Sequence, residues 1–306
     1  EHSPAKLPQG IDDQDRIEIV NQLQQSLTRR LSALLPTIGK ETDWAILGRV
    51  LKSCDQDHPL VQLSQTEVEL EQGRPVTIPA ITPHDKRDEA YRSYLAIARV
   101  PLLPNVDQAQ LDEAAQAAVQ WFANPDIEGS YLLKPHRAAR LAKVLTSAAD
   151  SYRSRDEKAF YQPFPSHKAE QVAQWYLTAE RAGQIAGWPA EQLRSNREGA
   201  LLALVAGPKP QEGLPIADKL ATDSEYLKNL SATGKVRFYS ACTVVRGSSA
   251  TDRKAAVKAL RDMTAVLTDR SQKLTRQDCY THVLARMKNP AEFDAFVGDS
   301  PEAQQE

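Results

Sequence analysis

The chain has 306 residues, 41% of them hydrophobic and 25% charged, enough for one large core or two smaller ones and too apolar for wholesale disorder. Its 38 basic and 40 acidic residues leave a formal net charge of −2, against the basic excess that a dedicated nucleic-acid binder needs to neutralise phosphates. No apolar run approaches the ~20 residues of a membrane-spanning helix. The longest, residues 200–206, follows Arg197 and Glu198 and reads as a buried helix, so a soluble protein is expected.

The first ten residues read as a loose leader. They begin Glu1-His2-Ser3 without a methionine. That suits either a processed N-terminus, and then a periplasmic or secreted protein, or a start within a longer product. After Asp13, the residues Ile17, Val20, Leu23, Leu27, Leu31 and Leu34 recur at steps of three or four, which predicts an amphipathic helix ended by Pro36 and Gly39. Thr42 is expected to cap a second helix that turns Trp44, Leu47, Leu51 and Cys54 inward. Residues 60–81 alternate apolar and polar at Val61/Leu63, Val68/Leu70 and Val76/Ile78 around Gly73 and Pro75, the pattern of a small hairpin or extended segment. Ser64 and Glu67 in the same stretch also form a capping-box pattern.

Thr82 as N-cap, Pro83 at the first helical position and Asp85 in the first turn open a helix to about Arg99, with Tyr91, Tyr94, Leu95 and Ala98 facing the core. Asp107 caps an alanine-rich helix that runs to Asn124. Pro135 begins another, through Leu141, Val144, Leu145 and Ala148. Residues 160–166 form an aromatic loop broken by Pro163 and Pro165, after which Ser166 caps a helix carrying Val172, Trp175, Tyr176 and Ala179. Pro189 opens the next. Residues 207–215, with two glycines and three prolines, give the strongest linker signal, and divide the chain into an N-terminal helical domain, 11–206, and a C-terminal one, 216–298. One continuous helical domain is the alternative. Beyond the linker come a helix at 222–230, a β-rich stretch at 236–245, a long helix at 252–268, a further helix after Thr275 and a polar tail after Gly298. The expected class is mostly α: a multi-helix bundle or irregular helical array with minor β elements. No repeat keeps register along the chain.

Local chemistry is sparse. His167 with Glu170 and His84 with Asp88 stand at helical spacings, but six histidines among 40 acids in 306 positions give ~0.8 such pairs per spacing by chance, so no metal is implied. Cys54 lies near Asp55, Asp57 and His58, yet two carboxylates would raise its thiol pKa, the reverse of what a nucleophile needs. Cys242 and Cys279 could form a bridge, though three buried thiols suit so sparse a set better. Residues 247–252 could hold an anion at a helix N-terminus or simply cap the helix. No phosphate loop or nucleophile elbow occurs, and no cofactor is implied.

Two features point to a protein partner. Lys134, Arg137 and Arg140, with His136 and Lys143 nearby, form a basic stripe that could meet an acidic partner, a lipid headgroup or nucleic acid, or is merely a solvated face. Phe160, Tyr161 and Phe164 crowd the proline-broken loop, as a plug between helices or as a docking surface. The sequence thus favours a non-enzymatic helical interaction protein (adaptor, chaperone, scaffold or secreted factor), with its oligomeric state left open. The alternative is an α-helical enzyme whose catalytic groups come from distant helices. A broad exposed apolar patch would favour the first reading, and a cleft with convergent titratable groups the second.

Overall fold

The structure, a computed structural model, describes residues 13–34, 44–81, 85–154, 164–267 and 276–299. It is 76% helical, with 14 α-helices and no strand among the described residues. These are α1 (Asp13–Leu34), α2 (Trp44–Leu51), α3 (Pro59–Glu71), α4 (Lys86–Ala98), α5 (Gln108–Ala123), α6 (Pro135–Ser151) and α7 (Ala169–Ala186). There follow α8 (Ala190–Ala206), α9 (Leu214–Ala221), α10 (Ser224–Asn229), α11 (Ala232–Gly247), α12 (Arg253–Leu267), α13 (Arg276–Leu284) and α14 (Pro290–Asp299). Of the described residues, no helix is long and apolar enough to cross a membrane.

Local chemistry sets many of the boundaries. The Asp85 carboxylate accepts from the backbone N–H groups of Arg87 at 2.8 Å and Asp88 at 2.9 Å, which satisfies two of the free donors at the start of α4. Asp107 and Gln110 form a reciprocal capping box on α5. Each helix then packs chiefly on its neighbours in sequence, from α2 on α3 through to α7 on α8, most extensively along α6, α7 and α8. Additional contacts of α4 with α6 and α5 with α7 arrange the series in two staggered rows. The α7–α8 approach depends on Gly199, where a Cβ atom would stand 2.7 Å from the Tyr176 ring. In the C-terminal part, α11 is the hub and touches α8, α9, α12 and α13.

Residues 236–245 and the first half of residues 60–81, the two stretches expected as β, are helices. Residues 59–71 form α3, started by the His58 side chain, which accepts from the Leu60 N–H at 3.2 Å, with Pro59 in the first turn. Ser64 and Glu67 therefore lie inside the helix and not at its cap. Nine of its 13 residues are buried, so the helix carries no one-sided apolar stripe, and short windows of it alternate as a strand would. Residues 236–245 belong to α11, whose Val236, Val244 and Val245 are buried against several helices. Burial on many sides outweighs the β preference of valine. Residues 74–81 are extended but pair with no strand among the described residues.

The glycine- and proline-rich segment at 207–215 folds into a short 3-10 turn, Pro210–Gly213, that leads directly into α9. Pro210 and Gly213 are buried, and a Cβ at Gly213 would meet Val245 of α11 at 3.0 Å and Leu201 of α8 at 3.1 Å. Helices on both sides of the turn share one hydrophobic core. Limited proteolysis is therefore expected to spare 207–215, since cleavage needs backbone that can leave the fold. First cuts inside this segment, mapped by mass spectrometry, would favour the two-domain reading, and an intact segment the single continuous domain.

Candidate functional site

Charged side chains concentrate where α3, α4 and α6 meet. One turn apart on α3, Glu67 and Glu71 face Arg137 and Arg140, three residues apart on α6. Arg137 donates from Nε to Glu67 Oε1 at 2.7 Å and from Nη2 to Oε2 at 2.6 Å, a bidentate pair. The Tyr91 hydroxyl donates to the same carboxylate, and His136 Nε2 lies 3.3 Å from its Oε1. Arg137 Nη1 donates to the Tyr131 carbonyl, and its Cζ stands 4.4 Å from the centroid of the Tyr91 ring. Glu67 and Arg137 are only 3% and 2% exposed. Nearer the surface, Arg140 Nε donates to Glu71 at 2.9 Å.

Electrostatics follow from this geometry. Burial alone would raise the Glu67 carboxyl, but the Arg137 charge and its hydrogen bonds, helped by His136, hold it well below the usual carboxylate range. Tyr91 is pushed far up, first by burial and then by the Glu67 charge. The cluster is thus a fixed ion pair held between three helices, and the surface grooves open elsewhere. Its chemistry is that of a tie.

His136, Arg137 and Arg140 of the basic stripe accordingly meet acids of their own chain. Arg137 is engaged inside the protein, Arg140 is half-buried on Glu71, and Lys134 is half-buried at the residue preceding α6. Phe164 is 1% exposed and packs edge-on to Tyr176, with ring centroids 6.0 Å apart. Phe160 and Tyr161 lie outside the described residues, as does His84. His167 is exposed, and Glu170 pairs with Lys209 at 3.4 Å. Cys54, Cys242 and Cys279 are buried and form no disulfide. Burial pushes Cys242 up to about 12 and also raises Cys54, against a hydrogen bond from Thr28. At residues 247–252 the Asp252 carboxylate accepts from the hydroxyls of Ser249 at 2.8 Å and Thr251 at 3.0 Å, so the protein's own acid sits on those donors.

A groove of about 770 Å³ runs between α4 and α5, floored by Ala90, Ser93, Ile97, Ala114, Ala117 and Trp121 and edged by residues of both charges. The Ser93 hydroxyl donates to the Glu89 carbonyl of its own helix, and neither histidine nor cysteine lines the groove.

The exposed apolar surface lies chiefly on α1 and α2. Ile17, Val20 and Leu23 on α1 are 61%, 45% and 58% exposed, and Ile46 and Val50 on α2 are also exposed. The α1 stripe meets the body at its middle, where Leu27 packs against the core and the Thr28 hydroxyl accepts from the Asp55 N–H at 3.2 Å. Its N-terminal half runs on past that contact. A three-four periodicity reads the same whether or not something covers it, so sequence could not separate the two halves. Ile46 and Val50 did leave a signal: they stand one turn apart, off the face carrying Leu47 and Leu51. No family model, curated protein or solved structure matches this chain.

Proposed function

We propose that the protein is a non-enzymatic helical interaction protein that engages a protein partner through its N-terminal helices. One observation carries this reading. Of the large hydrophobic side chains left exposed among the described residues, all but Leu177 belong to α1 and α2. Scattered exposed leucines are ordinary, whereas a concentration on one element is the mark of a surface that another protein covers. A helix that presents its apolar face beyond the body also matches the helix-in-groove and helix-pair modes of recognition. The groove between α4 and α5, with Lys86, Glu89, Arg99, Glu113 and Asp126 in its lining, is the feature that would serve the enzymatic alternative, but neither histidine nor cysteine lines it and its serine hydroxyl donates to its own helix.

The test is a comparison of tagged wild-type protein with Val20→Glu/Leu23→Glu in affinity capture from the native organism after mild cross-linking. Both residues are exposed, so helix content by circular dichroism is expected to stay the same. Two apolar anchors replaced by charges are expected to cut recovery of the bound protein at least about tenfold. Undiminished recovery by the variant would remove α1 as the contact and this reading with it.

A further inference from the structure

Resting on the reading of α1 as the interaction helix, we infer that its occupant is α1 of a second copy of this chain, packed antiparallel about a two-fold axis near residue 22. The helix is 22 residues long, ~33 Å. In a two-fold antiparallel pair, each residue faces the one equally far on the other side of the axis. Ile17 and Leu27 stand five residues to either side of position 22. Val20 stands two before it, with Leu23 and Gln24 just after. The pairing therefore sets Ile17 against Leu27 of the second copy, which is only half-buried by its own body, and Val20 against Leu23 and Gln24.

Charge obeys the same symmetry. The first 11 residues of α1 carry Asp13, Asp15, Glu18 and Arg16, net −2, and the last 11 carry Arg29 and Arg30, net +2. Antiparallel pairing lays the acidic half of each helix on the basic half of the other, whereas parallel pairing would oppose like with like. Glu18, Arg29 and Arg30 are all exposed. A contact ~33 Å long and ~10 Å wide is at the small end of specific interfaces, so the affinity belongs in the micromolar range.

Sedimentation velocity on the full chain between about 0.1 and 100 μM tests this. The expected result is a reversible dimer with a Kd on the order of 1–10 μM. Val20→Glu/Leu23→Glu is expected to weaken it at least about tenfold. Arg29→Glu/Arg30→Glu, which changes only exposed groups, is expected to weaken it ~10-fold. Adding Asp13→Lys/Asp15→Lys to that variant is expected to restore dimerisation to within about threefold of wild type. A monomer at every concentration would overturn the self-pairing and leave the capture comparison to decide the interaction reading. A dimer indifferent to Val20→Glu/Leu23→Glu would overturn the self-pairing as well, and a dimer indifferent to the arginine reversal would overturn the antiparallel register proposed.

Discussion

Replacing Glu67 with alanine is expected to cost about 3–5 kcal/mol of folding stability, because it leaves the Arg137 guanidinium buried without its counter-charge. Arg137→Ala is expected to cost as much, by stranding the carboxylate. The penalty comes from the survivor, so removing both charges is the discriminating experiment. Glu67→Leu/Arg137→Met is expected to recover most of the loss, since a well-packed apolar pair avoids desolvating two ions. The tyrosines beside the pair should divide in the same way. Tyr91→Phe removes a donor to Glu67 and is expected to cost about 1–2 kcal/mol. Tyr94→Phe should be nearly neutral, because the buried Tyr94 hydroxyl has no hydrogen-bond partner among the described residues. Urea unfolding followed by circular dichroism measures all five variants. A single-site cost below about 1 kcal/mol for Glu67→Ala would mean the pair is hydrated and does not tie the helices.

Acid sensitivity follows from the same pair. The Glu67 carboxyl is held below its unfolded value of about 4.3, so its contribution is fully present at neutral pH and is lost as pH falls through the folded-state value. Wild-type stability should accordingly decline below the ordinary carboxylate range. In Glu67→Leu/Arg137→Met that part of the decline should be missing.

How far the sequence discloses this architecture depends on how local each determinant is. Asp107 and Pro135 act on the first turn of their own helices, and the starts of α5 and α6 could be read from them within a residue or two, whereas α4 is capped by Asp85, three residues beyond the Thr82 expected to cap it. α3 and α11 were misread as β because each is surrounded by neighbours, and burial on many sides erases the stripe by which a surface helix is recognised. Residues 207–215 have the composition of a linker, yet Gly213 packs so closely on Leu201 and Val245 that a Cβ there would meet both, contacts that composition does not carry. The basic stripe of α6 was visible without its acids, since Glu67 lies 70 residues upstream of Arg137. For the same reason the α1 stripe was plain in the sequence, whereas its partial exposure required the positions of every other helix.

Phe164→Ala is expected to destabilise the fold by about 3–5 kcal/mol, the usual cost of emptying a buried aromatic site. The ring comes from the end of the proline-broken loop and stands edge-on to Tyr176, whose own ring fills the space left by Gly199 and whose hydroxyl donates to Asp150 of α6. Removing it therefore opens a cavity beside the contact of α6 with α7, the most extensive between helices among the described residues. Neighbours so constrained cannot collapse into the gap, which places the cost toward the upper part of the range. For a chain of this size the melting temperature should fall by on the order of 10 °C. Phe164→Leu, which keeps most of the apolar volume, should lose less than half as much. A docking role for the ring makes the opposite forecast, with an unaltered melt and a weakened partner. A Phe164→Ala melting temperature within about 2 °C of wild type would show that the ring does not hold α7 in place.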